Sequence, residues 1–290
     1  MRAIRGTVEL GHPDYEIIQQ ITAVILNRAG GIDRLRIEFP LLIRRAIDEV
    51  IDTPRTKRLK LEQTEKTEKT YIGTKIEILL RDFLGLPKGL LDLKIDGLDV
   101  DIKNTVGNNW MIPDEASGKP CILVASNELT ARCSLGVIVA KPEYLTAGAN
   151  KDNKRSVSAA GFAHIHWILH NHSYPSNFWE KTPAETAHYI MLGASGNERL
   201  IRLFRALPGR VIHRDIVQGV ARQLDYMKRL RKNGGARDTL AREGIAILSG
   251  KYDAAVIARL HLGPVGPEEF VGYKATDETR AFLQAAGCIE

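Results

Sequence analysis

The sequence predicts an α/β layer architecture, a mixed sheet flanked by helices, followed by a smaller, basic, mostly helical domain. Three observations predict it. Apolar residues recur at helical spacing in 15–28, 41–51 and 73–83, and the period changes to two across 91–103, on either side of an Asp-Gly pair. Beyond about residue 175 the strand pattern fades and cations accumulate. With 290 residues, 44% of them hydrophobic and 26% charged, the chain has room for one large or two modest globular domains.

In chain order, His12-Pro13-Asp14 leads into a helix in which Ile17, Ile18, Ile21, Val24 and Ile25 form the apolar stripe, stopped by Gly30-Gly31. A second helix fits 41–51, ending before Thr53-Pro54. The stretch 55–71 (RTKRLKLEQTEKTEKTY) is polar and charged and reads as a long exposed loop. Ile76, Leu79, Leu80 and Phe83 then mark one face of an amphipathic helix over 73–83. Leu91, Leu93 and Ile95 alternate with Asp92 and Lys94, Asp96-Gly97 forms a two-residue hairpin turn, and Leu98, Val100 and Ile102 alternate with Asp99, Asp101 and Lys103. Segments 121–125 and 135–140 read as buried strands and 158–170 as a helix. A domain boundary falls near 170–182, separating a first domain over 1–172 from a second over 182–290. In the second, helices are predicted at 198–206, 215–232 and 252–260, with 245–248 as the first strand after the boundary.

Several classes are set aside. No run of about 18 apolar residues exists, so no membrane span is expected. The start of the chain lacks the apolar stretch of a signal peptide. Cys121, Cys133 and Cys288 are too few and too scattered for a disulfide framework or a zinc site, which fits a cytoplasmic protein. The net charge of +6 says little by itself. Its placement says more: residues 198–237 hold eleven Lys/Arg against three Asp/Glu, the kind of density that phosphate contact requires, although a solvated helix face has the same composition.

The hairpin carries the candidate chemistry. A two-residue turn at Asp96-Gly97 pairs Ile95 with Leu98, Lys94 with Asp99, Leu93 with Val100 and Asp92 with Asp101. Asp92 and Asp101 then share a face, with Lys103 two residues further along it. Opposed like charges are destabilising unless a cation lies between them, and two hard carboxylates with room for water form a partial Mg²⁺ shell. A metal there would polarise a phosphoryl oxygen, with Lys103 orienting the attacking water. The carbonyl of Ile102, between the two functional side chains, is a further ligand candidate. Glu77, on the preceding helix, either reaches this shell or is a helix-surface carboxylate. The same spacing also fits an ordinary polar sheet face with a salt bridge. Asp96 is assigned to the turn and Asp99 to a solvated pair with Lys94.

Asp92 followed after nine residues by Asp101-Ile102-Lys103 resembles the D…(D/E)-x-K signature of the PD-(D/E)XK nucleases, with Leu91 in place of the usual proline. The neighbouring blocks are more specific. Residues 66–77 (KTEKTYIGTKIE), 95–103 (IDGLDVDIK), 109–113 (NWMIP) with Glu115-Ala116, and 150–155 (NKDNKR) resemble, in the same order, NaeI-type restriction endonucleases. A fainter likeness continues through 203–231 (LFRALPGRVIHRDIVQGVARQLDYMKRLR). The resemblance implies a restriction-endonuclease-like first domain and a helix-turn-helix, winged-helix-like second domain that also binds DNA. It implies Glu77, Asp92, Asp101 and Lys103 as the catalytic set, Mg²⁺ as cofactor, and a homodimer that cuts both strands of duplex DNA.

Lys151, Lys154 and Arg155 are candidate phosphate contacts on a polar loop. Arg210, Arg214, Arg222, Lys228, Arg229, Arg231 and Lys232 are the candidates in the second domain. Trp110 and Met111 read as core packing, and His164, His166, His170 and His172 as structural or surface residues. Two rival functions remain: a DNA-binding regulator whose nuclease-like domain is inert, and a repair endonuclease of related fold that nicks one strand.

Overall fold

The computed structural model describes residues 8–231 and 235–290. Lys232, one of the candidate cations, lies outside the described residues. The chain forms two compact units, the first running up to Ile51 and over Lys60–Asn177, the second comprising Asp52–Leu59 and Phe178–Glu290.

The first unit begins with α1 (Tyr15–Ala29), whose Ile18, Ile21 and Ile25 are buried and whose end is turned by Gly30 in the left-handed region. Helix α2 (Ile32–Ile51) starts well before the predicted residue 41 and runs straight through Pro40, because Leu35 and Phe39 extend the buried stripe of Ile43 and Ile47. Pro40 has no N–H for the carbonyl of Arg36, four residues back. The ring Nε2 of His172 donates to that carbonyl instead, at 3.1 Å. The predicted loop over 55–71 is corrected in two places: α3 (Thr53–Thr56) is a single helical turn of the second unit, and α4 (Lys66–Leu84) begins at Lys66. The signal for that start is Glu68, whose carboxylate accepts the Glu65 N–H at 2.7 Å in the manner of a capping box.

A five-stranded sheet follows, with β1 (Leu93–Ile95), β2 (Leu98–Thr105), β4 (Pro120–Asn127), β5 (Arg132–Val139) and β7 (His166–Ser173) side by side in that order. Only β2 and β4 are parallel; the chain crosses between them through β3 (Met111–Ile112), which pairs with β6 (Arg155–Ser156). The predicted helix over 158–170 is absent. A short 3-10 turn (Gly161–His164) leads instead into β7. Phe162, Ile165, Ile168 and Leu169 mimic helical spacing, but the open edge of β5 supplies a ladder of backbone bonds, and tertiary pairing overrides the local pattern.

Side chains from α1, α2 and α4 cover one face of the sheet, with Ile122, Val124, Leu135 and Val137 pointing into them. Trp110, Ile112, Tyr144, Leu145 and Val157 cover the other, against Cys121, Leu123 and Ile138. Burial on both faces explains the unbroken apolar runs of β4 and β5. Trp110 is core, its Nε1 donating to Val124 O at 2.7 Å, whereas Met111 is exposed. Arg44 of α2 is tied to Glu128 at 2.6 Å and to Asp48 at 2.7 Å, and the Tyr174 hydroxyl donates to Glu128 at 2.7 Å.

The second unit contains α5 (Ala184–Met191), α6 (Gly196–Ala206), β8 (Val211–His213), α7 (Arg214–Ala221), α8 (Ala236–Arg242), β9 (Ile245–Ser249), α9 (Ala254–Arg259), β10 (Glu269–Lys274) and α10 (Asp277–Ala285). The long helix predicted over 215–232 is broken: α7 ends at Ala221, the next residue, Arg222, is left-handed at φ 53°, and Tyr226–Leu230 form a separate 3-10 segment. Strands β8 and β10, unpredicted, join β9 in an antiparallel sheet of order β8-β10-β9. Three residues such as Val211–His213 are too short to show a period of two. Among the described residues no helix is long and apolar enough to cross a membrane.

Candidate active site

The hairpin turns at Asp96 and Gly97, both with positive φ (46° and 88°), as a two-residue type I′ turn requires. Its register is the one read from the sequence, Ile95 opposite Leu98, Lys94 opposite Asp99 and Leu93 opposite Val100, and there the ladder stops. Asp92 lies beyond it. Strand β2 therefore runs on past its short neighbour, bonded to β4 on one side and open on the other. Asp92 occupies that open edge, its Oδ2 accepting the Ile102 N–H at 2.8 Å. Within a strand the N–H and C=O of one residue point to the same side, so the Ile102 carbonyl opens on this edge as well.

Asp101 and Lys103 alternate with Ile102 and share a face of β2. Lys103 Nζ lies 2.8 Å from Asp101 Oδ1 and 3.4 Å from the Ile102 carbonyl. Asp101 is 3% exposed, and its Oδ2 has no hydrogen-bond donor. Burial, together with the Asp92 carboxylate within hydrogen-bonding reach, pushes the Asp101 carboxyl up to about 7. Nothing satisfies Asp101 Oδ2 unless one of the two carboxyls is protonated or a cation lies between them. Lys103 is held above the usual lysine range: burial opposes its charge, but Asp101, Asp92 and Glu77 outweigh that. Glu77, half-buried on α4, is raised by burial and by the charge of Asp92, with Lys103 and Arg81 acting the other way.

The four residues thus meet in one electrostatic cluster, although no group of three or more His, Cys, Asp or Glu side chains is gathered as a ready metal cage among the described residues. The donor set nevertheless fits a hard divalent cation: two adjacent carboxylates, one with an unsatisfied buried oxygen, and a carbonyl on the same edge. Asp99 faces Lys94 in register, but its carboxylate accepts the Leu90 N–H at 2.7 Å. That bond is not legible in the sequence, because a loop amide leaves no periodic trace.

The cationic candidates are dispersed. Lys151 is exposed, in a turn where Asn150 Oδ1 accepts the N–H groups of Asp152 and Lys154. Arg155 stands in β6 opposite Ile112, with its Nε buried and without a hydrogen-bond partner. In the second unit Arg210 lies 3.9 Å over the Phe178 ring and bonds Thr182 Oγ1 at 2.6 Å and the Phe178 carbonyl. Arg214 binds Glu268 and the Tyr226 hydroxyl, and Arg229 binds Gln223 at 3.1 Å. Arg222 is lowered by burial and by Arg199. Lys228 and Arg231 are exposed. Of the histidines, His164 stacks on Tyr144 and meets His12 at 2.8 Å, and His166, His170 and His172 lie along β7.

The profile of the family described as "Restriction endonuclease NaeI" matches residues 37–289. The type II restriction enzyme NaeI of Lentzea aerocolonigenes is 33% identical, over 71% of this chain and 68% of that protein. With a match spanning both units, the chain belongs to the NaeI restriction endonuclease family.

Proposed function

We propose that this protein cuts both strands of duplex DNA at a specific sequence, with Mg²⁺ held by Asp92, Asp101 and the Ile102 carbonyl and approached by Glu77. Family membership makes it a site-specific deoxyribonuclease. The single observation that carries the finer reading is the buried Asp101 Oδ2, left without a donor beside a second carboxylate. A divalent cation bound there supplies Lewis acidity at the phosphoryl oxygens and a more acidic water. Lys103, beside Asp101 Oδ1, would orient the attacking water and stabilise the developing negative charge. Asp92 is anchored through the Ile102 N–H, with its carboxylate within hydrogen-bonding reach of Asp101.

The second unit reads as a winged-helix DNA-binding domain. The order α6, β8, α7, α8, β9, α9, β10, with β10 between β8 and β9, supports that reading, and in it α7 and α8 would form the helix-turn-helix. Cutting both strands implies two hairpin sites, hence a homodimer. The test is digestion of duplex DNA by the purified full chain with Mg²⁺. Discrete fragments are expected, and Asp101→Ala should bind DNA yet leave it uncut. Uncut substrate across methylated and unmodified DNA of varied sequence would overturn the reading, and nicked supercoiled plasmid without linear product would favour the single-strand alternative.

A further inference from the structure

The geometry points to Asp99 as a positioning residue for the carboxylate pair: it holds the loop that delivers Asp92 and so sets the distance between Asp92 and Asp101. This rests on the reading of Asp92 and Asp101 as cation ligands. Asp92 follows no strand pairing, since the hairpin ladder ends at Leu93 and Val100. Something else must fix its backbone. The chain coming off α4 makes a loop closed at its base by Lys94 N–H donating to the Pro87 carbonyl at 3.0 Å. Inside the loop, Leu90 N–H donates to Asp99 Oδ1 at 2.7 Å.

Gly89 lies flat against the same carboxylate. A Cβ there would stand 2.4 Å from Asp99 Oδ1 and 2.5 Å from the Leu93 carbonyl, too close for any side chain. Two residues beyond Leu90, Asp92 Oδ2 takes the Ile102 N–H at 2.8 Å. The loop is therefore clasped to β2 on both sides of Leu91 by two bonds of opposite sense. A carboxylate of the strand takes an amide of the loop, and a carboxylate of the loop takes an amide of the strand. Leu90 itself is 90% exposed, so apolar burial does not hold this stretch. Charge-assisted bonds to amides do, and they are about twice as strong as neutral ones. Asp99 shares the face of Asp101 two residues away, but its Oδ1 is committed to Leu90, which gives it a supporting role rather than that of a third ligand.

The experiment compares the full-length parent with Asp99→Ala, Asp99→Asn and Gly89→Ala. Mn²⁺ affinity is measured by calorimetry without DNA, amide exchange at Leu90 and Leu91 in metal-free protein, and cleavage against Mg²⁺ concentration. Asp99→Ala and Gly89→Ala are expected to weaken Mn²⁺ binding by about tenfold, the range for residues that support metal ligands. They should also speed exchange at Leu90 and raise the Mg²⁺ needed for half-maximal cleavage by a similar factor, with most of the rate recovered at saturation. Asp99→Asn keeps a carbonyl oxygen for the Leu90 N–H but not its charge, and should fall between the parent and Asp99→Ala. Parent-like Mn²⁺ affinity in Asp99→Ala, or equal losses in Asp99→Asn and Asp99→Ala, would overturn the proposal. Asp92→Ala separates the two levels. If it also leaves Mn²⁺ affinity unchanged, the metal reading falls and this proposal with it. If it abolishes binding while Asp99→Ala changes nothing, only the positioning role falls.

Discussion

Lys103 Nζ sits 2.8 Å from Asp101 Oδ1, inside a cluster where Glu77 and Asp92 add further negative charge. The lysine is the local counter-ion of two carboxylates, one on β2 and one on the loop before β1. Lys103→Ala should therefore lower single-turnover cleavage by about 10²–10³, the cost of losing one preorganised charge-stabilising group. Binding of duplex DNA in Ca²⁺ should be unchanged. A variant that cleaves within a small factor of the parent would show that Lys103 is only a salt-bridge partner.

The raised Asp101 carboxyl makes metal-free stability depend on pH. Its folded value, about 7, lies above its ordinary 3.8, so the folded protein retains a proton that the unfolded chain releases. That contribution is fully present below about pH 4 and is lost as pH rises through about 7. The thermal midpoint in EDTA should fall across this window relative to Asp101→Asn, whose side chain does not titrate. His166 and His170, lowered by burial, act in the opposite direction as pH falls below about 6.5, so the difference between parent and variant is the quantity to follow. Identical pH slopes in the two proteins would contradict this account.

His172 is bound to the helix fault at Pro40. Because its Nε2 serves the Arg36 carbonyl that Pro40 leaves bare, His172→Ala should cost about 0.5–1.5 kcal/mol in urea unfolding. In a Pro40→Ala background the restored N–H serves that carbonyl and most of the cost should vanish. A double-mutant cycle with no coupling would rule the relationship out.

The basic second unit holds two kinds of cation. Lys228 and Arg231 are exposed, and removing either should weaken DNA binding across all sequences and reduce the salt slope by about one. Arg210 is engaged by the Phe178 carbonyl, Thr182 and the Phe178 ring. Arg210→Ala should instead destabilise the unit by about 1–3 kcal/mol with little change in salt slope. Equal salt slopes for all three variants would erase the distinction.

Patterns confined to neighbouring residues were legible in the sequence by itself: the stripe of α1, the I′ turn at Asp96-Gly97, the hairpin register, and the shared face of Asp101 and Lys103. Each depends on a period or on a backbone preference that the local residues dictate. Only the tertiary structure decided that 166–173 is a strand, because the edge of β5 lies far away in sequence and its unpaired backbone groups outweigh the local spacing. It also decided that β2 outruns β1, which opens the edge where Asp92 meets Ile102, and that Asp99 bonds Leu90 rather than acting only opposite Lys94. Hydrogen bonds from side chains to distant amides follow no repeat along the chain, and here they set the spacing of the candidate ligands.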